Sequence, residues 1–339
     1  MRSGESRETV DRERYFVRPF GDEDYEAVCR LENMVSPELL MDPDEERYWD
    51  RFLVSRHQTV ERWVVEERGS GAARGFATMN HDPFGFDPHK FYVGMVVDPE
   101  HRHRGIGRTL ASLLDSEAEL HRATAFWANV RKDDLRSVDF AEKLGFVEVR
   151  SSWMSILDLS LVPESMVPHD VPGIRFTTLA EEGPKRPDVR SRLLDLLNEA
   201  SRDVPRMGNF TPISAEQFAD LLDGPTTIAE AYLLARHESE YVALSYLQRD
   251  LAQPDSLFVG FTATRKSFRG RGIATELKLR AIEYAKRAGF RRIRTFNDSL
   301  NEPIWKINEK LGFRRTVPWS NRERRFPRPD AGARPSATP

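Results

Sequence analysis

The feature that most constrains this 339-residue chain is an internal repeat. An Arg-x-x-Gly-Ile-small motif stands at Arg102 to Gly107 and again at Arg269 to Ala274, an offset of 269 − 102 = 167 residues. A Glu-Lys-Leu-Gly-Phe motif stands at Glu142 to Phe146 and at Glu309 to Phe313, with the same offset of 313 − 146 = 167. Two motifs that keep one separation in both copies indicate a duplicated domain.

A chain of this length suits two domains of about 150 residues each. The repeat predicts a first domain over residues 14–160 and a second over residues 174–319. The proline-bearing stretch 161–173 between them is predicted to be a linker. Residues 1–13 are predicted to form a flexible polar tail, and residues 320–339, rich in Arg, Pro and Ala, a disordered one.

Both halves show a similar order of predicted elements, with a strand, helices and a hairpin before a central strand, then a helix, a strand and a helix. The central strand is Phe91 to Val97 in the first half and Leu257 to Thr262 in the second, both nearly continuous apolar runs. The first half is predicted to end in a strand pair over Phe146 to Leu159. The last clear element of the second half is a helix over Glu302 to Leu311.

The composition limits the kinds of partner and the cellular compartment that we expect for this chain. Hydrophobic residues make up 39% and charged residues 31% of the chain, a balance typical of globular proteins. The formal net charge of −3 gives no basic field for nucleic acid, and no apolar run approaches a membrane span. The single cysteine, Cys29, fits a reducing compartment, and the polar N-terminus lacks a signal-peptide core. We therefore expect a cytoplasmic protein with no nucleic-acid or membrane partner.

The Arg-Gly motif follows a buried strand and opens a helix in each half. The first turn of a helix leaves backbone N–H groups without partners, and these donors favour a negative ligand. Glycine at Gly105, Gly107 and Gly272, with Ala274 as the small variant, lets such a ligand approach closely. The loops are therefore suited to a pyrophosphate, although a plain strand–helix turn with a surface Arg is the alternative.

The spacing of residues in the two loops does not match either of two common nucleotide-binding motifs. A dinucleotide site needs Gly-x-Gly-x-x-Gly after the first strand, and both loops lack the third glycine and follow a late strand. A phosphate-binding Walker loop needs Gly-Lys-Ser/Thr, whereas these loops continue as Gly107-Arg108-Thr109 and Ala274-Thr275.

The segment from Val96 through Pro99 to Gly107 resembles the acetyl-CoA signature of the GNAT superfamily, Q/R-x-x-G-x-G/A. The ending TFNDSLNEPIWKINEKLGF resembles that of tandem bacterial acetyltransferases, a group that includes mycothiol synthase, with Ile304 where Met is usual. The resemblance runs from Arg14 to Thr316. It implies a mixed α/β (α+β) fold of two tandem GNAT-type domains, each a mostly antiparallel mixed sheet flanked by helices.

The resemblance also implies a set of residues around acetyl-CoA or another acyl-CoA. In the first half these are Met95, Val96, Val97, Arg102, His103, Arg104, Gly105, Ile106, Gly107 and Asn129. In the second half they are Thr262, Thr264, Arg269, Gly270, Arg271, Gly272, Ile273, Ala274, Asn297 and Asn301. In such folds the central strand and its neighbour splay apart, often at a bulge, and the thioester lies in the gap.

The usual catalytic groups are missing. Ala141 and Asn308 stand where many family members have a Tyr that protonates the leaving thiolate. Phe91 and Phe258 lie near the place of the usual base carboxylate. The catalytic residues are therefore not assigned by sequence; the stand-ins are the loop residues His81, Asp82 and Asp255, each of which has an ordinary polar role as its alternative.

The resemblance implies an N-acetyltransferase that moves an acetyl or other acyl group from acyl-CoA to a primary amine of a small molecule. Transfer to a protein amine, and a non-catalytic acyl-CoA sensor or scaffold, are the alternatives. We expect no metal cofactor and a monomer or homodimer. The first domain, with Pro99 and both glycines, is the favoured cofactor binder.

Overall fold

The computed structural model describes residues 10–82, 85–206 and 209–327. Within these residues the first half contains six strands and four α-helices: β1 (Tyr15–Pro19), α1 (Tyr25–Val35), α2 (Pro43–Val54), β2 (Val60–Glu67), β3 (Ala72–Asn80), β4 (Lys90–Val97), α3 (Ile106–Leu120), β5 (Ala125–Arg131), α4 (Leu135–Lys143) and β6 (Val147–Asp158).

The second half repeats this arrangement with one additional short helix. Its elements are β7 (Arg175–Thr178), α5 (Leu179–Glu182), α6 (Pro187–Ser201), α7 (Ala215–Leu222), β8 (Thr227–His237), β9 (Glu240–Arg249), β10 (Ser256–Thr264), α8 (Ile273–Arg287), β11 (Arg292–Asp298), α9 (Glu302–Lys310) and β12 (Arg314–Arg325).

Local sequence explains where several helices begin. The Asp42 side chain accepts hydrogen bonds from the N–H groups of Asp44 and Glu45 at the start of α2, and Pro43 occupies the first turn. Ser214 and Gln217 form a reciprocal capping box at α7. In contrast, α3 and α8 begin at glycines that supply no side-chain cap.

All twelve strands form a single sheet in the order β1-β2-β3-β4-β5-β12-β6-β11-β10-β9-β8-β7. The last strand of each half is therefore exchanged. Strand β12 pairs antiparallel with β5, with Arg325 opposite Ala125, and β6 pairs antiparallel with β11, with Asp158 opposite Arg292. The exchanged strands also pair with each other, so the sheet is continuous across the two halves.

The exchanged strand β12 is anchored in the first half by a buried arginine. Arg322 is 4% exposed. Its guanidinium donates to Ser320 Oγ at 2.9 Å and to the Phe146 carbonyl at 3.3 Å, and lies 3.1 Å from a Glu142 carboxylate oxygen. Buried charges of this kind are tolerated only when they are paired and hydrogen-bonded, which fixes the register of β12.

Two predictions, one about the end of each half, are wrong. The predicted strand pair over Phe146 to Leu159 is the single strand β6, because its second neighbour comes from the other half and no hairpin is needed. Residues 320–325 of the predicted disordered tail belong to β12, because the open edge of β5 pairs with them. Residues 328–339, like residues 1–9 of the predicted N-terminal tail, lie outside the described residues.

The linker and the start of the chain contact the cores of the two halves. Val162 is 7% exposed within the apolar core of the second half, and Met166 and Val171 pack against that core. Val10 is 9% exposed and belongs to the core of the first half. Among residues 10–82, 85–206 and 209–327, no helix combines the length and apolar character that crossing a bilayer requires.

Candidate functional site

The Arg-Gly motifs form two similar turns between strand and helix, the first loop (residues 102–107) and the second loop (residues 269–274). Gly105 has φ of +80° and caps α3, and Gly272 has φ of +81° and caps α8. Two residues before each glycine, His103 and Gly270 also have positive φ, at 61° and 77°. Because no side chain caps either helix, the first-turn N–H groups are left available to a negative ligand.

The central strand of each half separates from its parallel neighbour. Strands β4 and β5 pair only from Lys90–Ala125 to Tyr92–Trp127, although β4 continues to Val97. Strands β10 and β11 pair over the corresponding three positions. The expected splay is therefore present in both halves, and each gap leaves unpaired backbone groups on the central strand. A bulge accompanies it only in the second half, at Gly260.

A cavity of about 1220 Å³, the first cavity, joins the first loop to this gap. Its walls include the loop itself, the edge of β4 from Tyr92 to Val97, and the inward faces of α1 and α2. Residues 248–250, Phe258, Arg294 and Phe296 of the second half close one side. A diphosphate, an extended thioester arm and an acceptor could therefore share one continuous space.

The helix-lined end of the first cavity is acidic. Arg62 Nη2 lies 2.8 Å from Asp50 Oδ1 and 3.3 Å from Glu46 Oε2, and Tyr25 donates to Asp50 Oδ2 at 2.7 Å. Glu32 faces the same cavity, and no hydrogen bond or ion pair to its carboxylate occurs among the described residues. One arginine therefore faces three carboxylates, which favours a cationic guest.

Burial changes the proton affinity of these carboxylates. Burial, together with the nearby Glu46 carboxylate, raises the pKa of Glu32 to about 7. Burial, together with Asp250, raises the pKa of Glu45 to about 7. The pKa of Glu46 is also raised by burial, against the opposing effect of Arg62. A carboxylate that titrates near neutral pH is suited to general-base chemistry.

Tyr92 is the last residue of β4 that pairs with β5, so it lies where the gap begins, and it lines the first cavity. The Tyr92 hydroxyl lies 3.9 Å from the position that a Cβ would occupy on Gly94. Burial and the neighbouring Glu32 carboxylate raise the pKa of Tyr92 above its usual range. Its phenol is therefore protonated at neutral pH and available as a hydrogen-bond donor.

A second cavity of about 560 Å³ occupies the gap of the second half and shares five wall residues with the first, namely Asn80, Tyr92, Ala128, Asn129 and Phe296. None of residues 269–274 is among its walls. The Asp203 carboxylate lies 2.7 Å from Arg269 Nη2 and 3.3 Å from Lys266 Nζ, so it already pairs with the cations at the second loop. That charge opposes a diphosphate there.

Most of the implied cofactor residues of the first half line the first cavity. They are Met95, Val96, Val97, Arg102, His103, Gly105, Ile106, Gly107 and Asn129. Arg104 instead points toward β1, with Nη1 3.5 Å from the Tyr15 hydroxyl. Of the implied residues in the second half, Thr262, Asn297 and Asn301 line the second cavity, whereas Thr264 and the loop residues Arg269, Gly270, Arg271, Gly272, Ile273 and Ala274 do not.

The three catalytic stand-ins are not brought together. His81 is 4% exposed, its Nδ1 accepts a hydrogen bond from the Thr59 N–H group, and its ring packs on Phe91. Burial lowers the pKa of His81. It lines neither cavity, so its position is that of a core histidine. Asp255 also lines neither cavity and accepts from the Ser256 hydroxyl. Asp82 lines the second cavity.

Sequence analysis missed the acidic residues Glu32, Glu45, Glu46 and Asp50, and also Tyr92. On a helix, charged residues such as these have the pattern of a solvated face, and only the packing of α1 and α2 over β4 turns them inward. The sequence offers only a weak signal for them: Glu32 lies on the same face of α1 as Val28 and Cys29, which precede it by four and three residues and are buried.

Comparison with known proteins is consistent with this geometry. The model of the acetyltransferase (GNAT) family matches residues 25–146 and again residues 193–313. A mycothiol acetyltransferase of Rhodococcus erythropolis is 27% identical over 265 residues, which cover 73% of this chain and 83% of that protein. A mycothiol acetyltransferase of Actinosynnema mirum is 23% identical over 252 residues, covering 73% and 79%.

Solved structures share the fold over nearly the whole chain. A tandem GNAT protein from the clavulanic acid biosynthesis pathway superposes with a TM-score of 0.73 at 20% identity, covering 92% of this chain and 99% of that one. A GCN5-related N-acetyltransferase from Sphaerobacter thermophilus gives a TM-score of 0.70 at 18% identity, covering 94% and 96%. Both likenesses concern the arrangement of the backbone.

Proposed function

This chain belongs to the GNAT acetyltransferase family, with one family domain in each half, and on that premise we propose that it transfers an acetyl group from acetyl-CoA to a primary amine of a small molecule. One observation carries the proposal. The first cavity connects an uncapped helix start, a free strand edge and an acidic pocket. These are the three places that a diphosphate, a thioester arm and a cationic amine need. The cytoplasm is the compartment we propose.

The first domain is proposed to hold the cofactor. The N–H groups of the first loop and of the first turn of α3 bind the diphosphate, with Gly105 and Gly107 allowing close approach. The pantetheine arm pairs with the β4 edge from Met95 to Val97 as an added strand. The second loop is a weaker candidate because Asp203 already pairs with Arg269.

Acyl transfer requires a neutral amine, and Glu32 is proposed to supply the base. An ammonium group enters the acidic pocket beside Glu32 and Glu46 and loses its proton to the Glu32 carboxylate. The amine attacks the thioester carbonyl, and an unpaired N–H of β4 stabilises the oxyanion. The nitrogen of the tetrahedral adduct loses its second proton as the carbon–sulfur bond breaks, and the departing thiolate takes up that proton to leave as coenzyme A. The thiolate leaves readily because its thiol has a pKa of about 8.5, and the Tyr92 hydroxyl donates a hydrogen bond to it.

The enclosure of the acidic pocket favours a small acceptor over a protein side chain. Helices α1 and α2 cover it on one side, and the second half closes another through Arg294, whose guanidinium contacts both Asp250 and the Glu38 carbonyl. A flexible peptide would need an open groove instead.

The proposal is tested by measuring thiol release from acetyl-CoA with a panel of small primary amines, alongside calorimetric titration of acetyl-CoA. Amine-dependent release with cofactor binding supports the proposed transfer. Tight acetyl-CoA binding without release for any amine would instead indicate the sensor function. Failure to bind acetyl-CoA at all would remove the proposal.

Replacing Glu32 by Gln tests the base. We expect kcat/KM to fall by about 10²–10³-fold, a typical loss for a general base, while acetyl-CoA affinity stays the same. In the unsubstituted protein kcat/KM should rise with pH through about 7, because only the ionised Glu32 accepts a proton. In the Glu32→Gln variant this rise of kcat/KM near pH 7 should disappear, and the remaining pH dependence should come only from deprotonation of the amine substrate.

The matched control is Glu26→Gln, which removes an exposed carboxylate from the same helix. It should leave kcat/KM and its pH dependence unchanged. Equal losses in the two variants would point to a general charge effect and against a specific base at Glu32.

A further inference from the structure

Lys278 is a buried lysine in the wall of the second cavity. It lies on α8 and is 3% exposed. No hydrogen bond or ion pair to its Nζ occurs among the described residues, and its one cation–π contact there is with the Phe313 ring, whose centroid lies 5.7 Å away. The corresponding position of the first half, 167 residues earlier, is Ala111. The buried amine is therefore a feature of the second half alone.

A buried amine without a counter-ion is a costly arrangement, because a charge taken out of water needs a partner. Burial lowers the pKa of Lys278 to about 7, so near neutral pH only part of the group carries its proton. An anion placed beside Nζ would supply the partner and stabilise the ammonium form. The position of Lys278 therefore favours an anionic group as a ligand.

The other charges at the described wall of the second cavity offset one another. Arg150 Nη1 lies 3.1 Å from Asp298 Oδ2. Burial lowers the pKa of Arg206, and the nearby Asp82 carboxylate opposes that shift. The described wall thus holds three cationic and two acidic side chains, a net charge of +1 when Lys278 is protonated. Lys278 is the cation whose charge remains to be balanced.

Further hydrogen-bond donors line the same cavity. Asn297 is 5% exposed, and its Oδ1 accepts from Asn308 Nδ2 at 3.1 Å, whereas no acceptor for its own Nδ2 occurs among the described residues. Strand β10 pairs with β11 only as far as Phe258, so its edge from Val259 to Thr262 has no strand partner on the cavity side. A carboxylate only accepts hydrogen bonds and matches these donors.

The size of the charge favours a carboxylate over a phosphate. A phosphate monoester brings nearly two negative charges at neutral pH, and a carboxylate brings one. The single unbalanced charge of Lys278 is neutralised by one carboxylate, while a phosphate would leave an excess negative charge in a largely buried cavity.

The second cavity adjoins the proposed amine site. Tyr92 is one of the five residues that belong to the walls of both cavities. Burial and the Glu32 carboxylate raise the pKa of Tyr92, which places Glu32 close to this shared wall. A small molecule with its ammonium group beside Glu32 can therefore extend past Tyr92 toward Lys278.

We propose that the acceptor is an amino acid in the wide sense, a small molecule with a primary amine at one end and a carboxylate at the other, and that Lys278 binds the carboxylate in the second cavity. The inference rests on the proposed function, because it places the amine beside Glu32. Lys278 is a specificity-determining residue and takes no part in bond making at the thioester. The second domain then holds the far end of the acceptor and needs no cofactor of its own.

The test measures thiol release from acetyl-CoA for linear ω-amino acids of increasing length, each compared with its own carboxamide. At the length that reaches Lys278, we expect kcat/KM of the acid to exceed that of the carboxamide by about 10–100-fold, the effect of a hydrogen bond to a charged group. The difference should lie in KM, since Lys278 binds the ground state and the transition state alike. Carboxamides that react as well as the acids at every length would overturn the proposal.

Lys278→Met should remove the preference for the acid. Met keeps the apolar stem and removes the buried amine, so the variant is expected to fold, which thermal unfolding checks. The matched control is Lys286→Met, which removes an exposed lysine from the same helix and should keep the preference. A preference for the acid that survives Lys278→Met would show that another group binds the carboxylate, and the proposal would be wrong.

Free propionate distinguishes a carboxylate of the acceptor from a separate anion. It should compete with the ω-amino acid and raise its KM. Propionate that binds together with the ω-amino acid, without raising that KM, would identify the anion as a separate ligand and overturn the assignment to the acceptor.

Failure of the proposed function gives a different result, because then no amine produces thiol release. Calorimetric titration of the same ω-amino acids decides the carboxylate site in that case. Binding at least about tenfold tighter to the unsubstituted protein than to Lys278→Met would support the carboxylate site without the transfer reaction. Equal affinities for the two proteins would reject it.

Discussion

Removing residues 314–339 is expected to unfold both halves of the protein, not only the half from which they come. The deletion takes away β12, which separates β5 from β6 and pairs with both. It leaves two unpaired strand edges in the middle of the sheet and removes Arg322, whose contacts reach Phe146 and Glu142. A domain is stable by only about 5–15 kcal/mol, and we expect the loss of a central strand to exceed that free energy of unfolding.

The measurement is thermal unfolding followed by circular dichroism, with size-exclusion chromatography to detect association through the exposed edges. Arg325→Ala is the control. Arg325 ends the same strand, its side chain is 80% exposed, and its ion pair is with the neighbouring Glu323. That change should alter stability by no more than about 0.5 kcal/mol. A truncated chain in which the first half still unfolds cooperatively would contradict the prediction.

Gly105→Val is expected to weaken acetyl-CoA binding about 100-fold or more. Gly105 has φ of +80°, a conformation in which a β-branched residue is strained, and the added side chain would stand where the backbone must approach the diphosphate. Straightening the turn would rotate the first N–H groups of α3 away from the ligand. A hundredfold loss corresponds to about 2.7 kcal/mol.

Calorimetric titration of acetyl-CoA measures this loss, and thiol release measures its effect on turnover. Gly272→Val provides the matched comparison, since Gly272 has φ of +81° at the start of α8 and no atom lies within 4 Å of its Cβ position. We expect that variant to keep amine-dependent turnover. If Gly105→Val binds acetyl-CoA normally, or if only Gly272→Val abolishes turnover, the first domain is not the working one.

The proposed division of labour between the two domains is based on how the duplicated halves differ. In the first half the loop opens into a large cavity with an acidic end. In the second, Asp203 pairs with the loop cations and Lys278 faces a smaller gap. The sequence motif predicts that both loops are present. Whether a ligand can reach a loop depends on the side chains that pack against it from neighbouring helices.

Sequence alone determined the features that depend on neighbours along the chain. The 167-residue repeat predicted two related domains, the apolar runs ending at Val97 and Thr262 predicted the central strands, and Gly105 and Gly272 marked the turns. These signals are local, because backbone freedom and hydrophobic periodicity act within a few residues.

Only the tertiary structure decided the exchange of β6 and β12 and the surroundings of Glu32 and Lys278. Strand pairing across the halves joins residues far apart in sequence, such as Ala125 and Arg325, and no local pattern specifies which edge a strand will meet. In the same way, a glutamate or lysine on a helix has an ordinary pKa until packing removes the water around it. Proton affinity and strand partners are properties of the packed chain, and a sequence motif does not contain them.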